Sequence, residues 1–223
     1  MRLTVFNGPP RGSRGNTELL VGWFLEGFES VPANSHAIEH LRDVANHGRF
    51  AEEFRDAEAV LLAFPLYTDA MPGIVKAFIE ALAPLVGRAG NPPVMFLVQS
   101  GFPEAHHARF VARYLEKLAR RLGSRHIGTI VRGGCEGLHL MSPAMTKSVH
   151  RAILEIGAGF GRTGTLDARA VARFAGPEHL SPLSRAVMRL MDLCGVANVY
   201  WDMNLRKHGA WARRFARPYE GRW

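Results

Sequence analysis

The sequence predicts an α/β fold with three layers, in which helices cover both faces of a five-stranded parallel sheet. The first observation is that short apolar runs alternate with longer amphipathic segments along most of the chain. The second is that the runs at residues 59–64 and 94–98 are apolar without interruption, as central strands covered on both faces are. Strands that alternate with helices form a parallel sheet, and the connections between them are right-handed.

The predicted elements follow one another in strand–helix pairs. Strands are expected at the apolar runs of residues 3–6, 59–64, 94–98 and 127–131 and at the alternating run of residues 36–41. Apolar side chains spaced three and four residues apart predict helices at residues 16–28, 45–58, 72–85, 104–122 and 146–162. The helix at 104–122 is expected to bury one apolar side, made of Phe110, Val111, Tyr114, Leu115, Leu118 and Leu122. Five strands in a domain of this size suit the order 2-1-3-4-5, which is the flavodoxin-like order.

The chain is long enough for one α/β domain and an appendage. We expect the domain to span residues 1–166. A helical, basic extension is expected at residues 167–223, packed on the same domain or on a partner subunit. Within it, residues 183–193 form an amphipathic segment, and the apolar side chains of residues 188–193 are expected to face a core.

Composition narrows the expected location and partners. The 223 residues are 47% hydrophobic, contain two cysteines far apart in the sequence and carry a formal net charge of +8. No apolar window is long enough for a membrane span and no leader pattern opens the chain, so a reducing, cytoplasmic location is expected. The arginines are spread along the chain, which is typical of a solvated surface. Neither nucleic acid nor a membrane is therefore expected as a partner.

A polar, glycine-rich loop joins the first strand to the first helix. Residues 7–17 read NGPPRGSRGNT. They combine hydroxyls, an amide, arginines and glycines that let the backbone come close with a helix N-terminus, which Asn16 or Thr17 is expected to cap. The loop has no lysine for a nucleotide P-loop, and its glycine spacing does not fit the dinucleotide fingerprint. It predicts a cradle for a phosphate monoester, with a polar turn that binds nothing as the alternative.

Two further loops are expected at the same edge of the sheet, where the strand order reverses. The loop after the third strand reads FPLYTDAMP and places Tyr67 and Thr68 beyond the rigid Pro65. The loop after the fourth strand reads QSGFPE, and Gly101 lets its main chain approach a ligand. A helix N-terminus near Pro103 would favour the negative charge of a reduced flavin ring. A phosphate cradle and two loops for a planar ligand together match FMN in shape and charge.

These three loops carry a resemblance to a known family. The stretch NGPPRGSRGNT resembles the NGSPRxxGNT-type loop of the flavodoxin-like NAD(P)H-dependent FMN reductases, a group of NAD(P)H-dependent oxidoreductases. FPLYTDAMP is similar to their P-x-Y-x-x-x-x-P loop, and QSGFPE is similar to their third flavin loop. The resemblance extends over residues 1–165 or so. The compact cysteine cluster of the iron–sulfur relatives is absent from the sequence.

The resemblance implies an enzyme that binds FMN and uses NAD(P)H as co-substrate. It places Arg11, Ser13, Asn16 and Thr17 at the phosphate and Pro65, Leu66, Tyr67, Thr68, Ser100 and Gly101 at the ring system. No catalytic acid or base is implied, because the cofactor carries the chemistry. A homodimer or a higher homo-oligomer is implied as well. Pro9 replaces a serine of the family loop, which removes one hydroxyl and one N–H from the cradle.

The implied reaction passes hydride from NAD(P)H through FMN to a small acceptor: a quinone, a nitro or azo compound, or free flavin. Arg11 and Arg14 near the mouth favour NADPH over NADH, because NADPH carries an additional phosphate. One alternative is a flavodoxin-type electron carrier, although such carriers are usually acidic and this chain is basic. The other is a flavodoxin-like binding module that has lost its cofactor, with Pro9 as the altered position.

Further residues near these loops are open to two interpretations. His106 and His107 follow Gly101 at the start of a helix, where they either donate a proton to the reduced acceptor or lie on a solvated surface. Cys135 lies in the glycine-rich stretch after the fifth strand, and an unreactive thiol is expected there. This stretch, residues 133–137, is also expected to line the same mouth.

Overall fold

The computed structural model describes residues 1–10, 15–217 and 220. The chain divides into two compact units, Met1–His179 and Leu180–Trp223. The larger unit extends past residue 166, where the sequence suggested a boundary, and it includes the first helix of the expected extension. Among the described residues, no helix has both the length and the apolar character needed to cross a bilayer.

Five parallel strands form the sheet of the larger unit. They are β1 (Arg2–Asn7), β2 (Ser35–His40), β3 (Ala59–Pro65), β4 (Val94–Gln99) and β5 (His126–Arg132). Their order is β2-β1-β3-β4-β5, and every neighbouring pair is parallel. The predicted order is confirmed. β3 and β4 are buried along their whole length, which explains why their sequences are apolar without alternation.

Helices pack on both faces of the sheet. They are α1 (Asn16–Glu29), α2 (His47–Arg55), α3 (Gly73–Ala81), α4 (Arg109–Leu122), α5 (Pro143–Thr163) and α6 (Ala168–Ala175), with 3₁₀ turns at Val44–Asn46, Ala83–Leu85, Ala105–Ala108 and Leu138–Leu140. One apolar cluster lies against α2, α3 and α4 and contains Phe78 and Leu115. A second lies on the opposite face, against α1, α5 and α6, and contains Phe24 and Phe160. The predicted three layers are confirmed.

The buried face of α4 differs from the predicted one. Val111 and Leu115 are buried as expected, but Phe110 and Tyr114 are 55% and 39% exposed. A helix turns by about 100° per residue, so positions one residue before the buried stripe lie at its side and face solvent. The exposed ring of Phe110 is partly covered by Arg109, whose guanidinium carbon lies 4.2 Å from the ring centre.

Helices α1 and α5 are in very close contact. A Cβ on Gly27 would lie 2.0 Å from the carbonyl oxygen of Leu154, and a Cβ on Gly157 would lie 2.0 Å from that of Phe24. Both positions therefore require glycine at the present helix separation. The ring of Phe160 packs beside this contact, 6.1 Å from the ring of Phe24 between centres. The contact fixes α1, and the first turn of α1 faces the loop that follows β1.

The smaller unit contains α7 (Pro182–Leu193) and α8 (Val199–Lys207). Many of its described apolar side chains are exposed, and those of Leu183 and Leu193 reach 75% and 81% exposure. The expectation that residues 188–193 face a core is therefore wrong, since no residue of α7 is buried. The reason is size, because so short a segment cannot enclose a core of its own.

Candidate functional site

The carboxyl ends of β1, β3 and β4 lie next to one another at one edge of the sheet. The strand register places Asn7 beside Ala63 and Pro65 beside Gln99. The loops that follow these three strands consequently begin side by side, at the point where the strand order reverses. In open α/β sheets this is the position at which ligands bind.

The loop after β1 lies tightly against β3. The N–H of Gly8 donates to the carbonyl oxygen of Ala63 over 2.8 Å, and a Cβ on Gly8 would lie 2.3 Å from the Val75 side chain. Asn7 is buried, and its amide nitrogen donates to the carboxylate of Glu18. The Oδ1 atom of Asn7 is buried without a hydrogen-bond partner in the described part of the chain. This unpaired acceptor lies at the carboxyl end of β1, directly before the loop.

Two of the residues assigned to the phosphate fall outside the described part of the chain. Arg11 and Ser13 belong to residues 11–14, as does Arg14, which the sequence links to NADPH. The described part of the cradle consists of residues 7–10 and the start of α1.

The N-terminus of α1 is built differently from the prediction. Gly15 is the N-cap residue, and no side chain caps the helix. The side chain of Asn16 donates to the carbonyl oxygen of Cys135 over 2.5 Å and accepts from the N–H of His139 over 3.0 Å. Thr17 is buried, and its hydroxyl oxygen accepts from Gln99 over 3.1 Å. Asn16 and Thr17 therefore tie α1 to the loops after β5 and β4 instead of capping the helix.

The loop after β3 forms a tight turn. The backbone groups of Tyr67 and Ala70 exchange hydrogen bonds of 2.8 and 3.1 Å. Between them, Thr68 and Asp69 have φ values of 48° and 63°. This left-handed conformation is common at the centre of a two-residue turn, but it is costly for a β-branched residue such as Thr68. The turn presents Tyr67 with 47% of its surface exposed. Pro65, like its neighbour Leu66, is buried at the base of the turn.

The loop after β4 is held from both sides. The N–H of Ser100 donates to the carbonyl oxygen of Arg132, and its hydroxyl donates to that of Phe102 over 3.3 Å. Gly101 is exposed, and a Cβ there would lie 2.9 Å from a carboxylate oxygen of Glu136. The expected helix begins two residues after Pro103, with a 3₁₀ turn at Ala105–Ala108, and its α-helical part, α4, begins at Arg109.

The loop after β5 packs directly on the loop after β4. The N–H of Cys135 donates to the carbonyl oxygen of Ser100 over 2.8 Å, and that of Gly134 donates to Phe102 over 2.7 Å. A Cβ on Gly133 would meet Phe102 and Pro103 main-chain oxygens at 2.9 and 2.8 Å. Gly133 therefore allows the two loops to pack together. Residues 133–137 hold the loop after β4 in place through these backbone hydrogen bonds.

Cys135 is not a nucleophile in this arrangement. The side chain is 1% exposed. Burial raises the pKa of its thiol to about 12, although the nearby Arg132 acts in the opposite direction. The thiol is buried, and since the thiolate is the reactive form, we expect it to be unreactive.

The structure brings eight of the ten candidate residues to one edge. They are Asn16, Thr17, Pro65, Leu66, Tyr67, Thr68, Ser100 and Gly101. Sequence reasoning missed Gln99 and His139, which bond to the candidates Thr17 and Asn16, and Asn7, which bonds to Glu18 in the first turn of α1. For Asn7 and Gln99 a signal was available, because each is a polar residue that ends an otherwise apolar strand.

Comparison with known proteins finds solved structures that share this fold. No protein-family model matches the sequence, and no curated protein matches it. An FMN-dependent NADH-azoreductase from Bacillus anthracis, solved in complex with FMN, is 11% identical and has a TM-score of 0.56 over 72% of this chain and 100% of that chain. An NADH:FMN oxidoreductase in its apo form is 16% identical, with a TM-score of 0.55 over 82% and 97% of the two chains.

A third solved structure agrees with these two. An NAD(P)H:quinone oxidoreductase from Methanothermobacter marburgensis is 14% identical, with a TM-score of 0.56 over 73% of this chain and 96% of that chain. Identities this low establish the architecture. The chain has the flavodoxin-like fold that these three structures share.

Proposed function

We propose that the protein is an FMN-dependent oxidoreductase that oxidises NAD(P)H and reduces a small acceptor, namely a quinone, a nitro or azo compound, or free flavin. The observation that carries the proposal is the meeting of three loops where the strand order reverses, each with features that suit one part of FMN. The similarity to structures named as NADH-azoreductase, NADH:FMN oxidoreductase and NAD(P)H:quinone oxidoreductase supports it.

The phosphate end of the site suits an anion. The first N–H groups of α1 have no partners within the helix and carry its positive dipole end. The hydroxyl oxygen of Thr17 accepts from Gln99, so its own proton is available to a phosphate oxygen. The side chain of Asn16 is engaged elsewhere, so we assign its backbone N–H to the phosphate. Arg11 and Ser13 complete the proposed cradle.

The middle of the site suits a polyol chain. The buried Oδ1 atom of Asn7 lacks a partner within the described residues, and an unsatisfied buried acceptor is costly. A ribityl hydroxyl of FMN would donate to it. The amide nitrogen of Asn7 already donates to Glu18, so the oxygen is the atom of this side chain that we assign to the ribityl chain.

The ring end of the site suits a planar, apolar ligand with polar edges. Tyr67 offers an exposed aromatic face, and Thr68 lies beside it in the tight turn. Pro65 and Leu66 hold the base of that turn. Ser100 and Gly101 lie in the neighbouring loop. The N–H of Ser100 is bonded to Arg132 and its carbonyl oxygen to Cys135, so we assign its remaining lone pairs and the exposed main chain of Gly101 to the ring system. When bound, FMN would accept a hydride from NAD(P)H and pass electrons to the acceptor, so the protein supplies position and electrostatics.

The charge of the protein agrees with anionic cofactors. A net charge of +8 attracts both the phosphate of FMN and the phosphates of NAD(P)H. The same charge disfavours a flavodoxin-type electron carrier. A module that has lost its cofactor is favoured by Pro9 and by the engaged side chain of Asn16, and the experiment below separates it from the enzyme.

We also propose that the protein is a homodimer or a higher homo-oligomer. Helix α7 carries apolar side chains that are exposed within one chain, among them Leu190 and Leu193 at 61% and 81%. Exposed apolar patches of this kind mark interaction sites. Light scattering is expected to give at least twice the chain mass of 24.7 kDa, and a single-chain mass would contradict this part of the proposal.

An acceptor assay tests the proposed function. Purified protein supplied with FMN is mixed with NADPH or NADH and, in turn, a quinone, an azo dye and free flavin. The proposal predicts NAD(P)H oxidation that requires both FMN and an acceptor. If the protein binds FMN but does not oxidise NAD(P)H, the result would support the electron carrier instead. If it does not bind FMN, the result would support the binding module that has lost its cofactor.

A further inference from the structure

Three side chains that are common metal ligands converge beside the loop after β4. They are Glu104, His106 and His179, and their ligand atoms all lie within 4.8 Å of one another. Glu104 and His106 belong to the segment between β4 and α4, whereas His179 is the last residue of the larger unit. Ligands held at about 2.0–2.2 Å from a tetrahedral zinc ion lie about 3.3–3.6 Å apart. Small side-chain rotations are therefore enough to form such a site.

The main chain brings these distant segments together. The N–H of Ala105 donates to the carbonyl oxygen of Pro177 over 2.9 Å. The imidazole rings of His106 and His179 then face each other, with centres 4.5 Å apart. The cluster thus rests on a backbone hydrogen bond between the two segments that supply its members.

The tautomer of His106 leaves one ring nitrogen available for a metal. Its Nδ1 atom lies 3.0 Å from the carbonyl oxygen of Glu178. A carbonyl oxygen only accepts, so Nδ1 carries a proton, and in the neutral imidazole Nε2 keeps its lone pair. Histidines that bind metals usually donate their other N–H to a carbonyl or carboxylate in this way, which fixes the orientation of the ring.

We propose that Glu104, His106 and His179 bind a divalent transition metal of the zinc class. Two imidazoles and one carboxylate suit such a metal, whereas Mg²⁺ and Ca²⁺ prefer oxygen ligands alone. Three protein ligands leave a fourth position for water. The site is independent of FMN and of the proposed reductase activity, because none of the three residues belongs to the proposed cofactor contacts.

The metal would stabilise the loops around the proposed cofactor site. Glu104 lies 3.8 Å from Nε2 of His107, and Nδ1 of His107 lies 3.4 Å from a carboxylate oxygen of Asp69 in the turn after β3. Fixing Glu104 on a metal therefore restrains the segment that follows Gly101 and, through His107, the turn that carries Tyr67. The site is structural in this account and takes no part in the transfer of electrons.

Zinc binding by the full-length protein tests the proposal. The protein, with Cys194→Ser in every sample to remove an exposed thiol, is stripped with a chelator and titrated with Zn²⁺ against a chromophoric competitor. One equivalent is expected to bind, and Mg²⁺ is not expected to displace it. His106→Gln, His179→Gln and Glu104→Gln are each expected to weaken zinc binding at least tenfold.

Two matched controls keep the test specific. His36 and His150 are also paired with a glutamate, at 2.7 and 2.9 Å, and His36→Gln and His150→Gln should leave zinc affinity unchanged. Co²⁺ provides a second readout, because a tetrahedral site gives strong visible bands that the three ligand variants should lose. His179 is exposed, so its substitution does not disturb the core. Equal zinc affinity in the parent protein and all three ligand variants would overturn the proposal, as would an absence of binding.

Discussion

The side-chain amide of Gln99 donates to the hydroxyl oxygen of Thr17 over 3.1 Å, and both side chains are buried. This bond links the end of β4 to the first turn of α1, and it connects two of the loops that form the proposed FMN site. The hydroxyl of Thr17 keeps its own proton while its oxygen accepts from Gln99, and we propose that it donates this proton to the phosphate of FMN.

Removing the Thr17 hydroxyl should weaken FMN binding. Thr17→Val keeps the shape of the side chain, and a hydrogen bond to a charged group is worth roughly 1.5–3 kcal/mol, so the Kd for FMN should rise by about tenfold or more. Quenching of FMN fluorescence on titration with protein measures the change. Thr163→Val serves as the control, since the Thr163 hydroxyl is exposed and bonds to its own helix and to Thr165. An unchanged Kd in Thr17→Val would contradict the assignment.

The turn after β3 stores backbone strain at Thr68. A β-branched residue at positive φ is unfavourable by roughly 1–2 kcal/mol, and glycine avoids this cost but loses more chain entropy on folding. We expect Thr68→Gly to raise the free energy of unfolding by about 0.5–1 kcal/mol, as measured in urea. Thr68→Val keeps the branching and should give no gain. Lower stability in Thr68→Gly would show that the turn is not strained.

The contact between α1 and α5 should make Gly157 intolerant of any side chain. A Cβ there would lie 2.0 Å from the backbone of Phe24, and backbone cannot move aside without separating the helices. Gly157→Ala is expected to lower the free energy of unfolding by about 3 kcal/mol. Gly159 lies two positions further along the same helix, where a Cβ would meet nothing within 4 Å.

This neighbour supplies the control. Gly159→Ala should raise stability by about 0.5–1 kcal/mol, because alanine favours the helix over glycine. The stabilities of the two variants and of the parent protein are compared by thermal unfolding. Similar stabilities for both variants would mean that the two helices are able to separate without cost.

The two cysteines should differ sharply in reactivity. Cys194 is exposed, whereas burial raises the pKa of the Cys135 thiol to about 12. At pH 8 a thiol with that pKa is ionised in about one molecule in ten thousand. Dithionitrobenzoate is therefore expected to titrate one thiol quickly in the native protein and the second only after denaturation. Cys194→Ser should abolish the fast phase, and a fast phase that survives this change would place Cys135 in reach of solvent.

The layers and strand order were predictable because buried strands and buried helix faces require apolar residues at regular positions in the sequence. β3 and β4 are covered on both faces, and their apolar runs mark them without ambiguity. The glycine-rich loops were found for a similar reason, since Gly8 and Gly133 are required by backbone atoms or side chains that lie very close. These features depend on the local chain and on the fold class alone.

The partners of individual side chains were not predictable in this way. Asn16 looked like a helix cap, but its partners Cys135 and His139 are far along the chain and reach it only through the folded sheet. His106 and His179 carry no shared pattern in the sequence, and a backbone hydrogen bond between Ala105 and Pro177 brings them together. Tertiary contacts of this kind override the local preference for capping.

An absorbance spectrum of the purified protein tests the central claim most directly. The spectrum is recorded as purified, after addition of FMN and removal of the excess, and again after addition of NADPH without oxygen. The account predicts visible bands of oxidised flavin that remain with the protein and bleach when NADPH is added. A colourless protein that does not retain added FMN would contradict the proposed site, and retained bands that NADPH leaves unchanged would contradict the proposed reaction.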